Sequence, residues 1–357
     1  MLTGVLSMSD NMSIKSYRGT YHLSYHSKDE LLRLLDNDDN FFIIDRKISS
    51  LYPEIKRILK PERVILIDTD EEAKTIKYVN PVMANLIELG FKKNNCLVAI
   101  GGGITQDISG YISSILYRGI RWKFVPTTLL AQGDSCIGSK TSINFNGIKN
   151  VLGTFYPPEN VFICNDFLTT LPEDDIKSGI GEMLHYFNIF DLPLAQKLSD
   201  DCNNLISERS RILFYTRKSL EYKKRLIEVD EFDKKQRRVF NYGHTFGHAI
   251  ETLTANNISH GLAVILGMKI SNHVSERMGF LSEEKKKTLD NILTGSFVVQ
   301  CPVNKGNIGQ YMSYLSKDKK NVGFSINCIL MGNDGPFMYE FKDIKKLKKY
   351  ILEFCNE

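Results

Sequence analysis

Apolar and polar positions alternate regularly along the first half of the chain. Four short apolar runs predict buried strands at residues 41–44, 63–67, 96–100 and 122–125. Helical spacing lies between them, for example from Tyr78 to Leu89, where the pattern stops at Gly90. Continuous apolar strands separated by helices are typical of a parallel sheet covered on both faces. In such sheets, ligands bind beyond the carboxyl ends of the strands.

The pattern changes to an almost wholly helical one after Leu171. Pro172 suits the first turn of a helix, and the three acidic residues that follow it suit the positive end of the helix dipole. We therefore predict an α/β fold with a Rossmann-like nucleotide-binding domain at residues 1–171 and an all-helical metal-binding domain at residues 172–357. The last, amphipathic helix is expected to dock on its own domain rather than on a membrane. About the first 20 residues are expected to be disordered.

Residues 236–251 carry the most unusual polar pattern of the chain. Read as one helix, this stretch places four polar side chains on a single face at i, i+4, i+7 and i+11. They are Arg237, Asn241, His244 and His248. Such a stripe supplies hydrogen-bond donors, imidazole nitrogens and a permanent positive charge, which favours a binding site over a solvated face. The alternative is a set of unrelated surface and buried histidines.

A metal site is predicted from three residues on separate segments. His260 begins a second apolar helix after a polar break, and a helix hairpin would bring it close to His244. Glu182, on an earlier predicted helix, adds a carboxylate. One carboxylate and two imidazoles leave a coordination position open for water or substrate, as in catalytic zinc sites. His185 shares the face of Glu182, so the role of a further ligand or an orienting partner stays open as an alternative, but a residue three positions away need not point inward.

Two other stretches suit phosphate groups. Residues 101–103 are three glycines between a predicted strand and a helix, where the backbone can approach a phosphate and the helix offers free N–H groups. Lys140 and Lys149 lie in a polar stretch with glycines and hydroxyl side chains, which also suits phosphate oxygens. The alternatives are a tight turn and an ordinary surface loop.

Composition narrows the class of protein. The net charge of +4 is too small to predict nucleic-acid binding, but it suits an anionic small substrate. Seven cysteines without a C-x-x-C pair predict free thiols in a reducing compartment, and hence a cytoplasmic protein. The chain has neither an 18-residue apolar run nor a signal-peptide layout, so no contact with a membrane is expected.

Several motifs taken together resemble those of a known family. They are residues 101–107, 117–119, 125–132, 134–150, 181–182, 241–249, 260–261 and 318–320. With them the chain resembles the 3-dehydroquinate synthase family, the sugar phosphate cyclases, from roughly residue 45 to residue 320. The resemblance implies NAD as a cofactor without net turnover, a divalent metal (zinc or cobalt), a cleft between two domains, and a homodimer.

The resemblance also assigns roles to individual residues. The metal ligands it implies are Glu182, His244 and His260. The NAD contacts it implies are Asp45, Glu71, Lys74, Gly102, Gly103, Asp107, Thr127, Thr128, Phe167 and Thr170, with Lys140 and Lys149 nearby. The catalytic and substrate-binding groups it implies are Asp134, Lys140, Asn150, Lys223, Arg237, Asn241, His248 and Lys319 or Lys320. Arg118 would reach a phosphate across the dimer.

The chain departs from the family pattern at three places. His185 stands where the family usually has a lysine that contacts substrate hydroxyls, which predicts weak activity or a pH dependence in the range where histidine titrates. Ser139 replaces a glycine before Lys140, and residues 331–335 replace a glycine–lysine pair. By contrast, Arg237 and Asn241 match the family, and Arg237 with Lys223 suits a substrate carboxylate.

The predicted function is therefore that of a 3-dehydroquinate synthase-like lyase of the shikimate route to aromatic amino acids. It would convert a seven-carbon keto-acid sugar phosphate to a carbocycle and eliminate phosphate. Three alternatives stay open. They are another sugar phosphate cyclase, acting on sedoheptulose 7-phosphate or of the amino-sugar type, a metal-dependent polyol dehydrogenase with net NAD turnover, and an inactive relative.

Overall fold

The computed structural model describes residues 11–317 and 325–356. The chain divides into two compact units, Met1–Leu171 and Pro172–Glu357. We call them unit 1 and unit 2.

Unit 1 is an α/β structure. Its strands are β1 (Met12–Ser16), β2 (Gly19–Tyr25), β3 (Asn40–Asp45), β4 (Val64–Ile67), β5 (Cys96–Gly101), β6 (Arg121–Pro126), β7 (Lys140–Phe145), β8 (Ile148–Phe155) and β9 (Asn160–Ile163). Its α-helices are α1 (Lys28–Leu35), α2 (Arg46–Leu51), α3 (Pro53–Ile58), α4 (Ile76–Glu88) and α5 (Gly103–Ile115). Seven strands form one sheet in the order β1-β2-β9-β6-β5-β3-β4.

The four strands predicted from apolar runs are confirmed as β3, β4, β5 and β6, and they lie side by side in parallel. β3 and β5 are buried on both faces, and every residue of β5 is buried, whereas β4 and β6 keep partly exposed side chains such as Leu66 and Lys123. Parallel neighbours end at the same edge of a sheet, so the segments after β3, β4, β5 and β6 all emerge at one edge. We call it the carboxyl edge.

Two parts of unit 1 differ from the prediction. Of the first 20 or so residues, which were expected to be disordered, residues 1–10 lie outside the described residues. Beyond them, β1 and the start of β2 are ordered; Ile14, Tyr21 and Leu23 are buried, and β2 pairs in parallel with β9. The polar stretch after residue 134 is not merely a loop, because β7 and β8 pair there as an antiparallel hairpin. Its alternation was obscured by the many polar residues on the exposed face.

Unit 2 is mainly helical. Its α-helices are α6 (Glu173–Phe190), α7 (Leu192–Ser207), α8 (Ile212–Ile227), α9 (His244–Leu253), α10 (His260–Arg277), α11 (Glu283–Ser296), α12 (Ile308–Ser316) and α13 (Ile344–Phe354). It also contains a hairpin that the prediction of an all-helical domain omitted, formed by β10 (Ile326–Gly332) and β11 (Gly335–Phe341). Within the described residues, no helix is long and apolar enough to cross a membrane.

A shared core holds the last elements of unit 2 against α9 and α10. Leu347 and Ile351 of α13 are fully buried in it, together with Phe246 and Leu330. The prediction that the last helix docks on its own domain is therefore confirmed. The apolar stripe of a helix is most often covered in this way.

The prediction of a single helix at residues 236–251 is wrong. Gln236–Asn241 form a short 3₁₀ helix, and α9 begins only at His244. The break lies at Gly243, whose φ of +82° is left-handed. A Cβ at Gly243 would lie 2.6 Å from Cγ of Met268 and 2.8 Å from the carbonyl oxygen of Val264. Close packing of this turn on α10 therefore requires glycine.

Candidate functional site

Glycines allow α6 and α10 to cross at backbone contact. A Cβ on Gly181 would lie 2.5 Å from the carbonyl oxygen of Gly261, and a Cβ on Gly261 would overlap the carbonyl oxygen of Ser178. The hydroxyl of Ser178 accepts a hydrogen bond of 3.0 Å from the N–H of Gly261. Because Glu182 follows Gly181 and His260 precedes Gly261, the crossing brings the side chains of Glu182 and His260 together.

A second close approach joins α9 to α10. A Cβ on Gly247 would lie 2.9 Å from the carbonyl oxygen of Ala263, and a Cβ on Gly267 would overlap the carbonyl oxygen of Gly243. The pair of helices thus forms the hairpin predicted from the sequence. It places the rings of His244 and His260 with centroids 5.4 Å apart.

The three predicted metal ligands converge. Oε1 of Glu182 lies 3.5 Å from Nε2 of His244, and Oε2 of Glu182 lies 3.4 Å from Nε2 of His260. The other ring nitrogen of each histidine contacts an acceptor: Nδ1 of His244 lies 3.3 Å from the carbonyl oxygen of Tyr242, and Nδ1 of His260 lies 3.2 Å from Oε2 of Glu251. Metal-bound histidines are usually held by such a partner, which fixes the tautomer and leaves the other nitrogen for the ion.

Burial and charge at this cluster also fit a cation. The side chain of Glu182 is 4% exposed, and its Oε2 has no hydrogen-bond partner among the described residues. Burial alone would raise the pKa of Glu182, but His244 and His260 outweigh it and hold this pKa well below its usual range. Burial would lower the pKa of His260, but Glu251 and Glu182 raise it well above its usual range. A buried carboxylate is normally paired with a positive charge or bound to a metal ion, and one carboxylate beside two imidazoles is a donor set that suits a metal.

His185 is fully buried beside the cluster. Its Nδ1 lies 3.7 Å from Oε1 of Glu182, and its ring centroid lies 4.9 Å from that of His244. Neither ring nitrogen has a hydrogen-bond partner among the described residues. Burial, and next the charge of His244, lower the pKa of His185 to about 3. His185 is therefore neutral near pH 7, far from the range in which a pH dependence was expected.

His248 offers a different set of ligands. Ligand nitrogens of His244, His248 and His260 all lie within 4.8 Å of one another. His248 is exposed, however, whereas Glu182 is buried and contacts both other histidines. A buried carboxylate needs the cation more than an exposed imidazole does, so the geometry favours the set with Glu182. His248 then lies at the open side of the cluster.

The remaining predicted residues of unit 2 lie on nearby segments. Lys223 of α8 and Arg237 are buried, and Nη1 of Arg237 donates a 2.5 Å hydrogen bond to the carbonyl oxygen of Glu231. Asn241 is half-buried and donates to the carbonyl oxygen of Arg238. Because the helix breaks at Gly243, Arg237 and Asn241 do not continue the stripe of His244. Lys319 and Lys320 lie outside the described residues.

In unit 1, five of the residues assigned to NAD lie at the carboxyl edge. Asp45 ends β3, Gly102 and Gly103 follow β5, and Thr127 and Thr128 follow β6. Gly102 caps α5, and a Cβ there would lie 2.9 Å from the methyl group of Thr128. The edge thus offers the N-terminus of a helix, whose free N–H groups suit a phosphate. A cavity of about 750 Å³ adjoins it, lined by Asp45, Arg46, Lys47, Ser50, Leu51, Asp68, Thr69 and Asp70.

Lys74, Asp107 and Asn150 are joined to one another. Nζ of Lys74 lies 2.7 Å from Oδ2 of Asp107 and donates to Oδ1 of Asn150 at 2.7 Å. Asp107 also accepts from the N–H and the hydroxyl of Ser142. Burial raises the pKa of Asp107, against the opposing effect of Lys74. This network fastens the β7–β8 hairpin to α5, so these residues have a structural role besides any ligand contact.

The other assigned residues of unit 1 are distributed around it. Oε1 of Glu71 accepts from the amide of Asn144. Asp134 lies in a π-helical turn, Lys140 and Lys149 are exposed on the hairpin, and Phe167 is buried. Thr170 shares a 2.9 Å hydrogen bond with the hydroxyl of Tyr52.

Arg118 projects from a turn with an uncommon backbone. Tyr117, Arg118 and Gly119 all have positive φ, of 49°, 63° and 110°. Positive φ is uncommon for residues other than glycine, and such backbones cluster at functional sites. Arg118 is exposed at the end of this turn.

Sequence reasoning missed two features of the site. Glu251 was not assigned a role, although it lies on α9 three residues after His248 and orients His260. The glycines of the crossing of α6 with α10, Gly181 and Gly261, were noted only as parts of motifs. A glycine next to each predicted ligand is a usable signal, because small residues let helices and their side chains approach closely.

The crossing leads to a direct prediction. Gly261→Ala is expected to destabilise unit 2 by about 3 kcal/mol, since the new methyl group meets backbone that cannot move aside cheaply. It should also weaken metal binding by displacing His260 from Glu182. Thermal melting and metal analysis of the purified variant measure both effects.

Gly309→Ala in α12 is the matched control, because nothing lies within 4 Å of a Cβ there. It should leave the melting temperature unchanged or raise it slightly. Wild-type stability and metal content in Gly261→Ala would contradict this account of the crossing.

Comparison with known proteins agrees with this geometry. Residues 64–178 match the profile of the 3-dehydroquinate synthase N-terminal domain, and residues 179–321 match that of the C-terminal domain. The 3-dehydroquinate synthase of Clostridium tetani (strain Massachusetts / E88) is 35% identical over 293 residues, which are 81% of this chain and 78% of that protein. The 3-dehydroquinate synthase of Campylobacter concisus (strain 13826) is 33% identical over 98% of this chain and 99% of its own.

A solved structure is similar over nearly the whole chain. It is 2-deoxy-scyllo-inosose synthase complexed with carbaglucose-6-phosphate, NAD+ and Co2+, with a TM-score of 0.86 and 25% identity. The match covers 96% of this chain and 99% of that one. Profiles that span residues 64–321, and relatives that match along most of both chains, identify this protein as a member of the 3-dehydroquinate synthase family.

Proposed function

We propose that the protein is a phosphate-eliminating lyase of the 3-dehydroquinate synthase type. It converts a seven-carbon keto-acid sugar phosphate to a carbocycle, with NAD and a divalent metal. The observation that carries the proposal is the convergence of Glu182, His244 and His260, each histidine oriented by an acceptor at Nδ1. The relatives named 3-dehydroquinate synthase support the same reaction.

Two cofactors are proposed, both found in the similar 2-deoxy-scyllo-inosose synthase complex. Bound NAD would accept a hydride from the carbon that carries a substrate hydroxyl and later return it, and the metal would polarise the oxygen on that carbon. For the metal, the donor set of one carboxylate and two imidazoles suits zinc or cobalt. For NAD, Asp45, Thr127, Thr128 and the helix N-terminus at Gly102 are the proposed contacts in unit 1.

The protein's own residues would do the rest. Glu251 and the carbonyl group of Tyr242 hold the two imidazoles in the required tautomer. Arg237 and Lys223 are buried cations, which suit a substrate carboxylate. The groups proposed for phosphate and hydroxyl contacts are Arg118, Asp134, Lys140, Asn150, Asn241 and His248, with Lys319 outside the described residues.

We further propose a cytoplasmic homodimer. Support for the compartment comes from the seven cysteines, which are all free thiols. Support for the dimer comes from Arg118, an exposed cation on an uncommon backbone that suits donation to the phosphate of a second copy.

NAD is expected to be required but not consumed. Phosphate release from the keto-acid phosphate, measured with NAD and zinc or cobalt supplied, should continue for many turnovers while NADH absorbance stays flat. Omitting NAD should abolish the release. NADH that accumulates in step with product would instead indicate a polyol dehydrogenase.

A further inference from the structure

Two cysteines of unit 2 lie in contact although they are distant in sequence. Cys301 lies between α11 and α12, and Cys355 directly follows α13. Their Sγ atoms are 3.2 Å apart. Both residues are half-buried, whereas the other five cysteines are buried. Of the seven thiols, these two are therefore accessible to a small solute, and they also contact each other.

The environment of Cys301 favours its thiolate. The hydrogen bond from the thiol of Cys355 lowers the pKa of Cys301, against the opposing effect of burial. The same hydrogen bond raises the pKa of Cys355. Elsewhere burial raises the pKa of Cys96 to about 11 and that of Cys202 to about 12. Thiolates attack disulfides and thiols do not, so Cys301 is the more reactive partner.

We propose that Cys301 and Cys355 form a reversible dithiol–disulfide pair, with a low-molecular-weight disulfide such as oxidised glutathione as the oxidant. The sulfur of Cys301 attacks the small disulfide, breaks its S–S bond and releases one small thiol. Cys355 then loses its proton and displaces the second small thiol. The two protein thiols lose two protons and two electrons in total, and the small disulfide takes up the two protons and the two electrons.

The bond would tether α13 to the segment that leads into α12. This matters because α12 supports the helix that carries two site histidines: the hydroxyl of Tyr311 donates a 3.0 Å hydrogen bond to the carbonyl oxygen of Phe246 in α9. Leu347 and Ile351 hold α13 in the same core. A cross-link between residues 301 and 355 closes a long loop, which restricts the unfolded chain. Oxidation therefore stabilises the packing of α12 and α13 in the core that supports α9, the helix that carries His244 and His248.

The test uses the full-length protein equilibrated with oxidised or reduced glutathione, then unfolded in denaturant so that every remaining thiol reacts, alkylated and digested. Oxidation should lower the number of alkylated thiols from seven to five and yield one cross-linked peptide pair, 301 with 355. The melting temperature should rise by about 5–10 °C and fall back on reduction. Cys355→Ser should keep a glutathione adduct on Cys301 and show no rise.

Cys328→Ala, which removes a buried thiol, is the control and should still form the cross-link. Seven alkylated thiols after oxidation would overturn the proposal. So would a glutathione adduct that persists on Cys301 of the unaltered protein, because Cys355 would then have failed to displace it.

Discussion

His260→Ala is expected to abolish metal binding and nearly all phosphate release. The site has three proposed ligands, and loss of one leaves the carboxylate of Glu182 and one imidazole. Removal of an outer partner typically costs roughly 10–100-fold in metal affinity or activity, so removal of a ligand should cost more. Metal analysis of the purified wild-type protein should give about one equivalent, and the variant should give almost none.

Companion variants separate the two candidate ligand sets. Glu182→Gln should lose the metal as His260→Ala does, while His248→Ala should keep it and lose activity only. Glu251→Gln should show a partial loss of affinity, of roughly 10–100-fold, because it orients His260 without binding the ion. His22→Ala, on an exposed face of unit 1, is the control for general effects.

Metal lost in His248→Ala and kept in Glu182→Gln would make the three imidazoles the site instead. Full occupancy and activity in His260→Ala would exclude both sets.

The hydrophobic pattern of short stretches predicted those strands that can be recognised from a short stretch of sequence alone. β3 and β5 are buried on both faces, so their sequences are apolar almost without interruption, and β4 and β6 keep enough buried apolar residues to be recognised. The N-terminal β1–β2 hairpin was not recognised, because its stability comes from pairing with β9, about 140 residues away. The antiparallel pair of strands β7 and β8 was likewise hard to recognise, because polar residues on the outer face obscured the alternation.

The residues of the candidate site divide in the same way, into those that a sequence pattern reveals and those that depend on tertiary packing. His244, His260 and Glu182 were found because ligand types and spacing are visible in a sequence. The break of the helix at Gly243 was not found, since it depends on contacts with Val264 and Met268 of another helix. For His185, the three-residue spacing from Glu182 was visible. Its complete burial depends on the tertiary packing of aromatic rings around it, and that burial sets its pKa.

Arg237→Leu is expected to remove the preference for a carboxylate-bearing substrate. Arg237 is buried, and its guanidinium can contact a carboxylate in a bidentate manner. Sites built for such a contact discriminate strongly against substrates that lack it, because the charge-assisted contact with the carboxylate is then lost. We expect kcat/KM for the keto-acid phosphate to fall about a thousandfold, or about 4 kcal/mol. Steady-state phosphate release measures this fall.

Two comparisons make the interpretation specific. Arg237→Lys keeps the charge without the planar fork and should recover only part of the loss. Arg238→Leu changes the adjacent, exposed arginine and should leave kcat/KM unchanged. Thermal melting of each variant shows whether loss of the hydrogen bond to the carbonyl group of Glu231 has unfolded unit 2.

The substrate itself is decided by the wild-type protein and one further variant. The keto-acid phosphate should release phosphate and sedoheptulose 7-phosphate should not; the opposite result would show that Arg237 does not select a carboxylate. His185 is neutral near pH 7, so it cannot supply the charge of the lysine usual in the family. His185→Lys is therefore expected to increase activity on the keto acid if that charge is what limits the rate. If neither substrate releases phosphate even in His185→Lys, an inactive relative that retains the metal site becomes the better account.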